Sequence, residues 1–295
     1  MISSDSPVAS DTPGVSSPRV FHLLILLVPF ACAWWFVASA LFGQWIDDPN
    51  YTHGLFVVPM AALLAWRRRG RLSATAPEPT WSGLILLAVA AVLYLLGILA
   101  AELFTMRLSM VVAIIALVAT TQGWKRTRVL GFPLLFLLLM IPLPYVVYYK
   151  LTFPLQLESS RLTAHLLSAL GMPVVRSGNV LNLEDYSLEV VTACSGLRSM
   201  MTLGTLAVFM TDFFRFGRVG NVALVLLAVP IAVVANTARL ALTAVMSAVV
   251  GAGAADSFLH QSSGVVVFLA GLLLLTVSGF LLEWISKRTH SQSGS

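Results

Sequence analysis

Seven apolar runs in this chain are each long enough to cross a lipid bilayer, and an eighth comes close. A span needs about 20 apolar residues, because a rise of 1.5 Å per residue has to cover ~30 Å of hydrocarbon. In chain order, with the short run second, they lie at about Phe21 to Gly43, Tyr51 to Trp66, Trp81 to Ala100, Leu103 to Gly123, Val129 to Val147, Ser195 to Phe214, Val219 to Leu240 and Ser263 to Ile285. Backbone polar groups find no water in hydrocarbon, so uninterrupted runs of this length fold as helices. The expected fold is an all-α integral membrane protein, a bundle of about eight transmembrane helices. With 58% hydrophobic residues and a mean hydropathy of +0.89, a soluble reading of the 295 residues is excluded.

Charge decides how such a bundle sits. Arg19 precedes the first run, "RRRGR" (Arg67 to Arg71) follows the second, and "KRTR" (Lys125 to Arg128) follows the fourth. Arg215 and Arg218 follow the sixth, and Lys287 and Arg288 follow the eighth. With eight spans every cluster falls on one side, which the positive-inside rule makes cytoplasmic together with both termini. The expected location is the cytoplasmic (inner) membrane. The net charge of +5 is dispersed between apolar runs, so no nucleic-acid partner is expected. Residues 1–20, rich in Ser, Pro and Asp, read as a disordered cytoplasmic tail, 21–286 as one membrane domain, and 287–295 as a short cytoplasmic tail. "ASA" at Ala38 to Ala40 imitates a signal-peptidase site, but the run before it exceeds a usual signal sequence, so the first helix is expected to be retained.

The opposite side carries one long segment, about Tyr148 to Cys194. Leu151, Leu155, Leu162, Leu166 and Leu170 recur at near-helical spacing with Glu158 and Arg161 between them, the pattern of an amphipathic interfacial helix. "PVVRSGNVLNLEDYSLEVV" follows, and its turn signals between β-branched stretches predict a small β-hairpin before the sixth helix. Arg107, near the outer end of the fourth run, is expected to snorkel or to pair with Glu102, and Asp212 to pair with Arg215. Two cysteines make no disulfide framework, and Cys32 in "FACAWWFVASA" reads as a small buried hydrophobe.

Three residues meet when this topology is drawn. Cys194 opens the sixth helix, Arg239 lies roughly 30 Å along the seventh at its outer edge, and His260 immediately precedes the eighth. Each has a structural reading by itself: an inert thiol, a snorkelling cation, an interfacial imidazole. Together, on consecutive helices at one depth, they suit acyl transfer. A thiolate at a helix N-terminus attacks an amide carbonyl, the guanidinium holds the oxyanion, and the imidazole protonates the leaving amine. Ser195 and Gly196 leave room beside the thiol for a substrate backbone. No metal-ligand spacing, phosphate-binding glycine loop or "HExxH" is present, so neither a metal nor a cofactor is expected. "DPNYTHG" offers Asn50, Tyr51 and His53 as the lining of a substrate entrance, or simply as an interfacial cap of the second helix.

"ACSGLRS", then "ANTARLAL", then "FLHQSSG" resemble in order and spacing the motif series of the exosortase and archaeosortase family. "DDPNYTHGLFVVPMAALLAWRRR" and "IPLPYVVYYKLTFPLQLESSRLTAHLLSALGMPVVRSGNV" resemble its pattern too, so the likeness covers about Asp47 to Trp284. The resemblance implies an eight-helix membrane cysteine protease or transpeptidase. Its substrates would be exported proteins with a C-terminal motif of the PEP-CTERM type, a hydrophobic helix and a basic tail, and its other partners membrane lipids and an amine or lipid acceptor. It implies Cys194 as nucleophile, Arg239 as transition-state stabiliser and His260 as proton donor and acceptor. Asn236 and Arg198 fall at family motif positions as supporting residues, or as an interhelical hydrogen bond and a structural cation. The rival reading is a polytopic transporter or a non-catalytic assembly subunit of an exopolysaccharide system, which requires charges and broken helices near the midplane.

Overall fold

The computed structural model describes residues 17–183, 187–189, 196–214, 216–250 and 260–292. α1 (Ser17–Asp47) leads through a turn at 48–53 into α2 (Gly54–Arg67) and the short α3 (Arg69–Ser73). α4 (Ser82–Leu99) and α5 (Leu103–Gln122) form a hairpin. α6 (Trp124–Val129) and α7 (Gly131–Phe136) follow, with a 3₁₀ turn (Leu137–Met140), then α8 (Tyr145–Ala169). Strands β1 (Val175–Ser177), β2 (Val180–Asn182) and β3 (Ser187–Glu189) precede α9 (Gly196–Met210), α10 (Arg218–Val250) and α11 (His260–Gln292).

Among the described residues, five helices are long and apolar enough to cross a bilayer, within α1, α4, α5, α10 and α11, and a sixth span results if α7 and α8 are taken as one bent pair. This is fewer than the eight apolar runs of the sequence. α2 and the described part of α9 have 14 and 15 residues, about 21 and 22 Å of rise, short of the ~30 Å hydrocarbon thickness. The fifth run also differs from expectation: its helix does not continue to Val147. Ile141 turns to extended backbone (φ −85, ψ 120) before Pro142, and Pro144 (φ −54, ψ 137) heads a new helix. The residue before a proline is disfavoured in helical geometry, and proline supplies no N–H to the ladder. The chain bends by 93° there. Pro230, by contrast, is carried inside α10 without ending it.

The segment after α8 holds three short strands in the order β1-β2-β3. β1 and β2 pair antiparallel with Ser177 opposite Val180, across a two-residue turn at Gly178 and Asn179. Gly178 sits at φ +65, the left-handed conformation that a tight hairpin turn requires.

Two cores form. One gathers Trp34, Val37 and Leu41 of α1, Val57 and Leu64 of α2, Met110 and Val111 of α5, and Phe136 of α7. α4 and α5 approach closely because Gly83 and Gly97 face Thr120 and Met106. A Cβ on Gly97 would lie 2.5 Å from Met106, so small residues permit the contact. Across α1 and α5, Trp34 Nε1 donates to Ser109 Oγ at 2.9 Å. The other core is built by α9, α10 and α11 through Leu203, Ala207, Leu224, Ala228, Ala232 and Leu275. The halves meet where Phe136 packs on Phe209, 6.0 Å between centroids, and where Arg67 and Arg68 both pair with Asp212. Asp212 therefore serves the end of α2; its expected partner Arg215 lies outside the described residues. The same end collects the Lys125–Glu78 pair at 2.6 Å and the bond from Arg126 Nε to the Thr75 carbonyl at 2.8 Å. It is the basic end of the bundle.

At the far end α10 runs ten residues past Leu240, the end expected from its apolar run. At 33 residues it measures about 50 Å, well beyond a bilayer core. α8 and the sheet cover the excess: Leu240 is buried with Leu181 of β2 and Leu188 of β3, and Ala241 and Ala244 with Leu167 of α8. Each such leucine contributes about 1.5–3 kcal/mol by leaving water. Cys32 is exposed on α1, which corrects the expectation of a buried thiol. The neighbouring Trp34 and Val37 supply the face that packs inward, and position 32 falls off it.

Candidate functional site

α9, α10 and α11 cross at one level, where small residues let them touch. A Cβ added to Gly271 of α11 would lie 3.2 Å from Leu203 of α9 and 3.7 Å from Ala235 of α10. From that crossing toward the end opposite the basic clusters, distances along each axis follow from helical rise. Arg239 stands four residues on, about 6 Å; Gly196 seven residues, about 10 Å; His260 eleven residues, about 16 Å. The three positions thus lie on the same side of the crossing in one packed unit, spread over about 10 Å along the axes. Cys194 and Ser195 lie outside the described residues, and His260 is described only as the first residue of α11.

Arg198, in the first turn of α9, is exposed, and its carbonyl accepts from Thr202 Oγ1 at 2.7 Å. Arg239 is half-buried on α10. Asn236, one turn before it, is 5% exposed, and its Oδ1 has no hydrogen-bond partner among the described residues. That open oxygen is one of a set that sequence reasoning missed. Thr237 and Thr243 Oγ1, Ser247 Oγ and Gln156 Oε1 of α8 are likewise buried without partners among the described residues. Elsewhere in the bundle hydroxyls are satisfied within their own helices: Thr120, Thr121, Thr163, Thr276 and Ser278 each donate to the carbonyl four residues back. Asn236, Thr243 and Ser247 are spaced by seven and four residues, one face of a helix. Their line runs between the side of α10 covered by α8 and the sheet and the side covered by α9 and α11. Polar residues repeating at helical spacing in an otherwise apolar run were the available signal.

The other candidates sit in the first half. Asp48 Oδ1 accepts from the Asn50 backbone N–H at 2.9 Å and from its side-chain amide at 3.0 Å, which fixes the turn. Tyr51 lies 5.9 Å from Tyr148 and 6.5 Å from His53, centroid to centroid. His53, in the turn ahead of α2, is buried, and burial lowers its pKa from the ordinary value although the Asn50 and Leu139 carbonyls oppose the shift. Gly54 leaves space for Trp45, whose indole donates to the Met140 carbonyl at 3.0 Å.

Arg107 does not snorkel, being 5% exposed, and it makes no close ion pair with Glu102, although the two charges act on one another; Glu102 accepts from the Phe104 and Thr105 backbone N–H groups as the cap of α5. Among the described residues no group of His, Cys, Asp and Glu is arranged to hold a metal.

No curated protein and no solved structure matches the chain. A family model does, over residues 45–277, which takes in the turn at 48–53, the broken helix at Ile141 to Pro144, α9, α10 and the first part of α11. Its description is transmembrane exosortase, and on a match that covers most of its 295 residues this multi-pass membrane protein belongs to the exosortase family.

Proposed function

We propose that this exosortase is a membrane-embedded cysteine protease and transpeptidase that removes a C-terminal tripartite sorting signal from exported proteins. The signal consists of a short motif of the PEP-CTERM type, a hydrophobic helix and a basic tail. Cleavage would be coupled to surface anchoring or to extracellular polysaccharide export. The observation that carries the reading is the packing of α9, α10 and α11 into one unit, the elements that bear or adjoin Cys194, Arg239 and His260.

In this mechanism His260 takes the proton from the Cys194 thiol, and the thiolate forms a C–S bond with the scissile carbonyl. Charge moves to the carbonyl oxygen, where the Arg239 guanidinium stabilises it. The tetrahedral adduct collapses with cleavage of the C–N bond, and His260 delivers its proton to the leaving amine. An amine acceptor or water then attacks the thioester, loses its proton to His260 and expels the thiolate. The substrate helix enters laterally among the membrane helices, its basic tail beside the cytoplasmic basic end and its motif at the outer face of the inner membrane. Asn236 orients Arg239, Arg198 reinforces the local positive field, Ser195 leaves room at the nucleophile, and Asn50, Tyr51 and His53 line the entrance.

Co-expression with a protein carrying such a tail tests the reading. Cys194→Ala, made and inserted at normal level, is expected to leave the substrate uncleaved, whereas processing at the wild-type rate would favour the transporter or assembly reading.

A further inference from the structure

A seven-residue period runs along α10 through Val222, Val229, Asn236 and Thr243, with Ser247 one turn further on. Residues at this spacing share one face of a helix. The line changes character at Asn236. Val222 and Val229 are apolar and exposed, whereas Asn236, Thr243 and Ser247 are polar and buried, at 5%, 5% and 8% exposure. Among the described residues Thr243 Oγ1 and Ser247 Oγ have no hydrogen-bond partner. A helical hydroxyl always has one at hand in the carbonyl four residues back, and Thr276 of α11 takes it at 2.8 Å. Thr243 and Ser247 therefore carry unused hydrogen-bonding capacity in a buried place, where it is destabilising until something fills it. Their level matters as well. Counted from Ala235, which lies at the crossing with Gly271, Thr243 is about 12 Å and Ser247 about 18 Å toward the end opposite the basic clusters. That stretch lies beyond the start of α9 and brackets the start of α11.

We propose that Thr243 and Ser247 bind the main chain of the peptide substrate, holding the residues on the N-terminal side of the scissile bond in extended conformation. The inference rests on the peptide-processing reading above and deepens it. The hydrophobic helix of the substrate lies against the exposed Val222 and Val229, and its recognition motif continues outward along the same line. Apolar and exposed, then polar and buried, is the order of such a tail read from its helix outward. The two hydroxyl positions are about 6 Å apart along the axis, close to the ~6.7 Å that separates N–H groups on one edge of a strand. Each hydroxyl can accept one such N–H and donate to a carbonyl. A charged side chain would find no counter-charge in these neutral groups, and a lipid acyl chain brings no polar atom to satisfy them. Ser247 is outermost, so it takes the residue nearer the N-terminus of the substrate, and Thr243 the one two positions later.

Binding of a labelled synthetic tail peptide to the purified full-length Cys194→Ala protein in detergent tests this without the chemical step. The peptide carries the motif, the hydrophobic helix and the basic tail. Each non-proline residue ahead of the helix is converted in turn from amide to ester, which replaces one N–H by oxygen. Two esters, two residues apart, are expected to weaken binding roughly three- to tenfold, and the others to leave it unchanged. Thr243→Val, added to the same protein, is expected to weaken binding of the all-amide peptide by a similar factor and to make the later of the two esters silent. Ser247→Ala is expected to silence the earlier one. Thr276→Val removes a hydroxyl that its own helix already satisfies, and both esters are expected to keep their full effect in it. Binding that no ester weakens, or esters that act equally in every variant, overturns the proposal and leaves the processing reading standing. So does the reverse order of the two esters. A Thr243→Val or Ser247→Ala protein that melts lower than its parent makes the hydroxyls part of the protein's own packing and overturns the proposal as well. A peptide that does not bind at all takes down the processing reading and this inference together.

Discussion

The α4–α5 contact and the far end of α10 use the same residue types to opposite effect. In the hairpin, Thr120 and Thr121 turn their hydroxyls back onto their own helix, and Gly83 and Gly97 draw the two helices together. Among the described residues no buried hydroxyl of that contact is left open. Along α10, Asn236, Thr237, Thr243 and Ser247 are buried yet hold oxygens with no partner among the described residues. A helix that satisfies its own hydroxyls is scaffold. One that leaves a line of them unsatisfied next to a half-buried arginine is prepared for a group that arrives from elsewhere, because a buried polar atom without a partner costs about 1–3 kcal/mol. On the proposed function, the contrast separates the part of the bundle that holds shape from the part that meets the substrate.

The strongest way to break the contrast is Arg239→Lys. Lysine keeps the charge and loses the planar fork, so if Arg239 holds an oxyanion, kcat falls by roughly 10²–10³ while thermal stability is retained. Activity at the wild-type level would move Arg239 to the scaffold side. Next in size is the cap of α5. Glu102→Ala removes the carboxylate that accepts from Phe104 N and Thr105 N, and a loss of about 1 kcal/mol is expected in reversible unfolding, with no change in processing once folded. The smallest stability effect is expected along α10. Thr243→Val and Ser247→Ala remove unpartnered hydroxyls, so stability should stay within about 0.5 kcal/mol of wild type or rise. Processing should nevertheless show a several-fold higher KM. A fall in Tm with KM unchanged would mean that these hydroxyls are satisfied within the protein after all.

Much of this division is legible in the sequence. Apolar runs name most helices because length and hydropathy are local properties, and the basic clusters name one end because they are contiguous along the chain. The break at Ile141 to Pro144 is signalled only by two prolines, and Pro230 shows that proline by itself does not stop a packed helix. The extension of α10 to Val250 is not legible, because it depends on Leu181, Leu188 and Leu167 covering it from distant segments. Arg107 misleads for a related reason. Glu102 is its obvious neighbour along the chain, and only the folded backbone shows that this carboxylate is already committed to the helix end. Cys32 misleads because an apolar run does not say which of its faces looks at lipid. Within the candidate site, motif order points to the three helices that pack together, whereas the open hydroxyls at Thr243 and Ser247 need three-dimensional burial to stand out.

The central claim is that Cys194 carries the acyl group. Mass spectrometry of enzyme incubated with a tail-bearing substrate and quenched in acid addresses it most directly. The account predicts a substrate-derived acyl adduct on the proteolytic fragment containing Cys194, released by neutral hydroxylamine and missing from the Cys194→Ala protein, with Cys32 unmodified. Undiminished processing by Cys194→Ala, or an adduct confined to Cys32, would contradict it.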